Sequence, residues 1–524
     1  MERVTVLFNP DNLAVQVEPG TSLMQAATMA GIELVSSCGG DGTCGRCLVK
    51  VQDGQVSVAN AGNISPSAKQ TGLVLACQTC VNSSVVVDIP GESRLDEHQV
   101  LLDENTFLME KDIDLADGFT FKPLCRKIQL TLSPPTLEEN VADWTRLQAA
   151  LRAEVACTDI RISLSVLRRV AAVLRTGNWQ VTVTVSQVNG CAEVIAIEPG
   201  HEANVNRVYG LAIDIGTTTV AVHLVDLDSG LTIGKKGSYN KQARFGDDVI
   251  SRIIHSSERP TGLDELHQAV MDSVNELLAE LLPLSQINAE EVHLVTVAAN
   301  TTMTHLFLGL SPKFIRLEPY IPLAAETPPV RAKELGLNVN PDAYVACFPS
   351  VASYVGGDIV AGTLVTNLAQ ENEVTLFIDI GTNGEMVLGN KDWMVAAACS
   401  AGPAFEGGGI VHGMRAMKGA IDNVEIDPIS FNVEVSTIGR CSAKGICGSG
   451  LIDCLATFYE IGIIDRAGKM QNDISTSRMR EGDEGWEFVL VYGEEAASGK
   501  DIVLTENDIK NLLRAKAAVY INPT

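Results

Sequence analysis

Apolar and polar positions alternate from the start of the chain. Val4, Val6 and Phe8 form one alternating run and Val15 and Val17 another, and Asn9-Pro10-Asp11-Asn12 between them predicts a hairpin turn. Pro19-Gly20-Thr21 leads into a helical stretch in which Leu23, Ala26, Ala27 and Ala30 share a face and which Gly31 ends. Val85, Val87 and Ile89 alternate again before Pro90-Gly91, so residues 1–91 read as a small β-rich domain. Residues 92–125 lose the period and carry Glu92, Asp96, Glu97, Asp103, Glu104, Glu110, Asp112 and Asp114, the pattern of an acidic linker. Residues 126–206 predict a small α+β middle domain. Its elements are a strand at 128–132, a helix opened near Ser133-Pro134-Pro135, a second helix over 164–175, and strands at 181–185 and 194–197.

The remainder contains an internal repeat. Leu211-Ala212-Ile213-Asp214-Ile215-Gly216-Thr217-Thr218-Thr219 is echoed by Leu376-Phe377-Ile378-Asp379-Ile380-Gly381-Thr382-Asn383-Gly384. Each copy reads as a strand, an Asp-Ile-Gly-Thr turn and a second strand, at 220–225 and 386–388. The repeat predicts two lobes of similar topology, 207–375 and 376–524.

Composition limits what such a chain does. With 524 residues it holds three or four domains at ~100–200 residues each. The 39 Lys+Arg against 65 Asp+Glu leave a net charge of −26, which repels phosphate backbones and anionic headgroups and argues against nucleic-acid or membrane-surface binding. No apolar run reaches the ~18–20 residues of a membrane helix, and Met1-Glu2-Arg3-Val4-Thr5-Val6 has no signal-peptide core, so a soluble cytoplasmic protein is expected. Thirteen Cys in such a chain suggest metal ligation for a cluster of them and buried thiols for the rest.

Cys38, Cys44 and Cys47 fall within ten residues and Cys77 follows thirty later, a C-x5-C-x2-C…C pattern. Four thiolates are what a [2Fe–2S] cluster requires. Gly39, Gly40, Gly42 and Gly45 let the loop wrap closely round its core and point N–H groups at its sulfurs. Four Cys with C-x2-C spacing also suit tetrahedral zinc, but the glycine density and the long gap to a single last Cys favour iron. The segment resembles [2Fe–2S] ferredoxins. One residue more than the plant-type spacing separates its first two Cys, which places it on the adrenodoxin side. Cys80 reads as a nearby spare thiol.

The paired Asp-Ile-Gly-Thr turns have a direct chemical use. Glycine lets a turn approach an anion, N–H and Thr hydroxyl groups donate to phosphate oxygens, and the Asp holds Mg²⁺ through water. An ordinary hairpin turn is the plain alternative for one copy alone. Two copies facing each other across a cleft resemble the superfamily of acetate and sugar kinases, Hsp70 chaperones and actin. That resemblance assigns Asp214, Gly216, Thr217, Thr218 and Thr219 to a first phosphate loop and Asp379, Gly381, Thr382, Asn383 and Gly384 to a second. Gly356-Gly357-Asp358, Gly407-Gly408-Gly409 and Gly445-Ile446-Cys447-Gly448-Ser449-Gly450 fit the same cleft or serve as close-packing turns. Asn300-Thr301-Thr302-Met303 reads as a plain helix N-cap that also fits there. The eight His are scattered, and no H-E-x-x-H, P-loop or G-x-S-x-G motif occurs. Cys399, Cys441, Cys447 and Cys454 read as buried thiols.

The order of these parts, with the segments 350–358, 399–409 and 445–450, resembles the reductive activators of corrinoid proteins. The resemblance covers essentially the whole chain. It implies a multi-domain α/β and α+β protein: a β-grasp [2Fe–2S] ferredoxin-like domain, an α+β middle domain and a two-lobed actin/Hsp70-like ATPase domain. The implied activity is ATP-dependent transfer of one electron, received from an upstream donor, through the cluster on Cys38, Cys44, Cys47 and Cys77 to Co(II) on a corrinoid methyl-transfer protein. ATP with Mg²⁺ would sit between the lobes, with Asp214, Asp379 and Asp358 as its catalytic carboxylates and Gly448 and Ser449 on the nucleotide. The ATPase domain would form a homodimer. Ser400 is expected either beside the corrinoid or in the nucleotide cleft. Two other readings remain at this point: a small-molecule kinase with a regulatory cluster and Asp358 as base, or a redox-sensing ATP-binding scaffold. Thr505-Glu506-Asn507-Asp508 caps a last helix carrying Ile509, Leu512, Leu513, Ala517 and Tyr520, and no glycine-pair adenosine loop follows Ile521. The second lobe is therefore expected to be incomplete, with weakened ATP binding.

Overall fold

The structure is a computed structural model that describes residues 3–32, 34, 42, 47–59, 64, 72–90, 93, 123–155, 157–187, 190–201, 207–246, 248–381, 383–399, 401–414, 416–471, 474–482 and 485–521. Two compact units result, one of Met1–Leu101, Lys241–Glu258 and Gly362–Thr524, the other of Leu102–Asn240 and Arg259–Ala361.

The N-terminal elements are β1 (Val4–Asn9), β2 (Leu13–Val17), α1 (Leu23–Met29), β3 (Leu48–Asp53), β4 (Val56–Val58), β5 (Leu73–Leu75), β6 (Thr79–Val81) and β7 (Val85–Asp88). Five strands form one mixed sheet in the order β2-β1-β7-β3-β5, with β1 and β7 parallel, and β4 pairs with β6. Ser22 caps α1 by accepting from Gln25 N (3.2 Å). The apolar face of α1 then closes the core, in which Phe8, Leu23, Ala26, Ala27, Leu75 and Val87 have no exposed surface.

The middle elements are β8 (Cys125–Thr131), α2 (Asp143–Glu154), β9 (Ile160–Ile162), α3 (Leu164–Thr176), β10 (Gln180–Ser186) and β11 (Ala192–Pro199), with sheet order β8-β10-β11-β9. The expected helix near Ser133-Pro134-Pro135 is not there; α2 starts at Asp143. A residue before proline avoids helical backbone, and the Thr136–Glu139 turn, closed by Thr136 N to Glu139 O (3.2 Å), uses up the next few residues. Asp143 in the first turn of α2 then pairs with Arg175 (2.8 Å) at the end of α3. In the same unit Cys125, Ile195 and Val208 pack with Leu227 and Tyr344, joining this sheet to the next one.

That next sheet, the first lobe, consists of β12 (Tyr209–Ile215), β13 (Thr219–Asp226), β14 (Thr232–Tyr239), β15 (Val292–Ala299), β16 (Val330–Arg331) and β17 (Tyr344–Cys347) in the order β14-β13-β12-β15-β17-β16. The first three strands form an antiparallel meander, and β12, β15 and β17 run parallel. Helices α4 (Val249–Glu258), α5 (Gly262–Leu284), α6 (Thr301–Phe307), α7 (Ala332–Leu335) and α8 (Gly357–Val365) connect or follow these strands. The second lobe repeats the opening meander in β18 (Thr375–Ile380), β19 (Gly384–Asn390) and β20 (Trp393–Cys399). It continues with β21 (Ala420–Ile426), β22 (Val433–Thr437), β23 (Gly445–Ile446), α9 (Gly448–Glu460), β24 (Met479–Gly482), β25 (Gly485–Val491), β26 (Ile502–Thr505) and α10 (Glu506–Ile521). Its core centres on Phe458 and Phe488, edge-on at 4.9 Å, with Leu504, Ile509 and Leu512. Among the described residues no helix is long and apolar enough to cross a membrane.

Candidate iron–sulfur and nucleotide sites

Strand β3 pairs with β5 so that Leu48 faces Leu75, and Ala76 N donates to Cys47 O (2.8 Å). This register brings Cys47, just before β3, next to Cys77 in the 3₁₀ turn after β5, with their Sγ atoms 3.3 Å apart. A disulfide would need about 2.05 Å. Two thiolates sharing a tetrahedral metal at bonds of about 2.3 Å lie about 3.8 Å apart, so the pair is unbonded and would open by about half an ångström to hold one metal between them. Cys47 is buried and Cys77 half-buried. Gly42, at φ +77°, shows why the loop needs glycine: a Cβ there would lie 2.7 Å from Gln78 Cγ. Cys38 and Cys44 lie outside the described residues, among which no three His, Cys, Asp or Glu side chains form a metal site. Cys80 sits half-buried on β6 opposite Ser57.

In β12 Leu211, Ile213 and Ile215 are buried while Ala212 and Asp214 face out, so the strand's own alternation leaves the Asp214 carboxylate exposed. The turn after it spans 216–219 and is closed by Gly216 N to Thr219 O (2.8 Å). Thr217 is buried, and its Oγ1 accepts from Asn300 Nδ2 (3.2 Å). Asn300 also caps α6 through Oδ1, which accepts from Met303 N (2.9 Å), so it is both an N-cap and a tie to the 216–219 turn. Gly356 allows this packing: a Cβ at that position would lie 2.4 Å from Asn300 Cα. Asp358 lies in the first turn of α8, half-buried, with Oδ1 accepting from Ile359 N (2.8 Å). Asn240, which the motifs did not single out, is fully buried beside the turn. Its Nδ2 donates to Gly216 O (2.9 Å) and its main-chain N–H to Thr218 O (2.9 Å).

The second turn follows the same plan with one residue fewer. Ile380 pairs with Gly384 where Ile215 pairs with Val220, and Gly381 N donates to Asn383 O (2.8 Å). Asp379 keeps an accessible surface on β18, yet the protein around it partly desolvates the carboxyl and pushes it above the usual carboxylate range. Gly384 is buried under Cys399, whose Sγ donates to Gly384 O (3.2 Å). Thr382 and Ser400 lie outside the described residues. Gly448 and Ser449 open α9, with Ser449 Oγ 3.3 Å from Cys447 Sγ. Of the four thiols expected to be buried, Cys447 and Cys454 are. Cys399 and Cys441 are only half-buried, because they lie at a strand end and in a turn, where backbone carbonyls and not a core surround them.

Residues 6–82 match the family described as a 2Fe-2S iron-sulfur cluster binding domain. Residues 114–204 match the RACo linker region, 209–371 the RACo middle region, and 373–522 the C-terminal domain of RACo, the ASKHA domain. Among characterised relatives, the corrinoid activation enzyme RamQ of Eubacterium limosum is 29% identical over 522 residues, spanning 98% of this chain and 82% of the relative. A [Co(II) methylated amine-specific corrinoid protein] reductase of Methanosarcina barkeri is 27% identical over 304 residues, 50% of this chain and 53% of the relative. The solved structure of a reductive activator for corrinoid, iron-sulfur protein is 48% identical, covers 99% of this chain and 82% of its own, and superposes with a TM-score of 0.72. A ferredoxin-type thiol site and duplicated phosphate-type turns, in a chain that aligns end to end at this identity, establish that the protein belongs to the family of reductive activators of corrinoid proteins.

Proposed function

We propose that the protein passes one electron from a [2Fe–2S] cluster to Co(II) on a corrinoid-containing methyl-transfer protein, giving Co(I), in a step coupled to ATP. The observation that carries this reading is the Cys47–Cys77 pair at 3.3 Å in a ferredoxin module, fused in one chain to two Asp-Ile-Gly-Thr turns. A [2Fe–2S] cluster held here would supply electrons one at a time, which is what Co(II) needs to become Co(I). Cys38, Cys44, Cys47 and Cys77 are the thiolates that hold it. Uphill transfer costs about 1.4 kcal/mol for each ~59 mV of a one-electron couple, so a low-potential acceptor calls for coupling to a second process. The nucleotide motifs supply a candidate for that process.

In this reading Thr217, Thr218 and Thr219, and Thr382, Asn383 and Gly384, donate to ATP phosphates, while Gly216 and Gly381, whose N–H groups close the turns, let the backbone approach them. Asp214 and Asp379 orient a hydrated Mg²⁺, and a cation beside Asp379 would restore the charged form that desolvation disfavours. Asp358, Ser400, Gly448 and Ser449 complete the nucleotide and partner contacts. Residues 1–91 act as the electron carrier, 92–125 as its linker, 126–206 as the middle domain, and 207–375 and 376–524 as the ATP-hydrolysing lobes. An upstream reductase, a homodimer through the ATPase domain and a cytoplasmic setting belong to the same proposal. The test is to mix cluster-reduced protein, MgATP and a Co(II) corrinoid protein and follow the Co(I) absorption band. A band that requires both the cluster and ATP is expected. A reduced cluster that yields no Co(I) with any corrinoid protein of methyl transfer overturns the reading.

A further inference from the structure

We infer that Asn240 is a positioning residue for nucleotide binding, aiming the N–H groups of the first phosphate turn; this rests on the nucleotide reading of the 216–219 turn. Asn240 follows β14 and is fully buried. Its side chain and its main chain hold two alternate carbonyls of the turn, Gly216 O through Nδ2 and Thr218 O through N–H, both at 2.9 Å. A trans peptide points its C=O and the following N–H in opposite directions. Drawing the Gly216 and Thr218 carbonyls toward Asn240 therefore turns the N–H groups of Thr217 and Thr219 away from it. A turn binds an anion only when its N–H groups converge outward and its carbonyls do not compete. Asn300 fixes the turn from another direction, by donating to Thr217 Oγ1 (3.2 Å). Without the Asn240 amide, the Gly216 carbonyl loses a buried partner. The 216–217 peptide then gains by rotating its oxygen toward other donors, which places a carbonyl dipole where a phosphate would sit.

The experiment compares the full-length wild type with Asn240→Ala, titrating each with a fluorescent ATP analogue and Mg²⁺. Hydrogen bonds to charged groups are the strong ones, so at least tenfold weaker nucleotide binding is expected, together with a raised KM for ATP and a smaller change in kcat. The cluster absorption spectrum should not change. Asn275→Ala serves as the structural control. It removes the same kind of bond at a more exposed place in the same unit, Asn275 Nδ2 to Gly336 O (2.9 Å), along with Asn338 N to Asn275 Oδ1 (2.9 Å), and should leave nucleotide affinity within about twofold. Unchanged affinity in Asn240→Ala, or an equal loss in Asn275→Ala, overturns the inference while leaving the nucleotide site intact. A wild type that binds no nucleotide overturns the site itself, and the inference with it. If Asn240→Ala does not fold, hydrogen exchange on the wild type decides. Saturating MgATP should slow the amides of Thr217 and Thr219, and unchanged exchange at both overturns the inference.

Discussion

Replacing Arg331 with alanine breaks a largely buried charge pair that carries several further contacts. The Arg331 guanidinium pairs with Glu193, whose other carboxylate oxygen accepts from the Tyr344 hydroxyl. The guanidinium also lies 3.7 Å over the Tyr344 ring and donates to Asp342 O (2.6 Å). Burial first, and then the bond to Glu193, pushes the Tyr344 hydroxyl up to about 12, so it donates throughout the neutral range. Removing one member of a buried pair costs about 3–5 kcal/mol because the other charge is left uncompensated. Glu193 and Arg331 side chains keep only 12% and 16% of their surface, and Tyr344 still serves Glu193 after the change, so the lower end, about 3 kcal/mol, applies. The lost cation–π contact adds about 1 kcal/mol. Glu193 lies on β11 and Tyr344 on β17, so the cost falls on the seam joining the middle sheet to the first lobe. Native-state hydrogen exchange on β11 and β9 peptides should show opening that is roughly a hundredfold to a thousandfold more frequent, at about 1.4 kcal/mol per tenfold. The double variant Glu193→Gln/Arg331→Met, which leaves no charge behind, should recover most of that loss. Protection within about threefold of wild type in Arg331→Ala, or a double variant as weak as the single one, would refute the argument.

Three further outcomes are expected. Cys77→Ser should abolish the visible absorption and iron content of the purified protein while leaving MgATP affinity within about twofold, since the thiol pair lies within residues 6–82 and the two Asp-Ile-Gly-Thr turns in the separately matched regions 209–371 and 373–522. His293 is buried, accepts from Asn340 Nδ2 at 3.1 Å, and is held down to about 3 by burial and then by the Lys127 charge. The folded state therefore refuses a proton that the unfolded chain takes up below about 6.5, so stability falls with pH over that window at ~1.4 kcal/mol per unit, about 2 kcal/mol by pH 5. Urea unfolding of His293→Gln should show a flatter pH dependence, and an identical slope would contradict it. Gly356→Ala drives a Cβ to 2.4 Å from Asn300 Cα and 2.7 Å from Thr301 N, both backbone, so a loss of about 2 kcal/mol is expected, read as a lower Tm with weaker MgATP binding.

Much of this molecule is legible in its residues because the relevant chemistry is contiguous. Alternation places β1, β2 and β7, the repeated apolar run places β12 and β18, and the repeated Asp-Ile-Gly-Thr places both turns. In each case side chains a few residues apart report one local backbone geometry. Ser22, Ser163 and Asn300 cap helices as their types suggest, since a cap needs only the three residues after it. Local propensity fails near Pro134-Pro135, where the sequence predicts a helix start and the prolines instead delay it to Asp143.

Other features are set only when distant strands meet. Asn240 carries no motif, and its importance comes from β14 ending beside the 216–219 turn. Arg331 and Tyr344 face each other across the β16–β17 pairing, and Glu193, far earlier in the chain, joins them only because the middle sheet packs against the first lobe. A hydrophobic pattern reports which face of a strand is buried. Which polar groups are then trapped together depends on sheet order and packing, which no local pattern encodes.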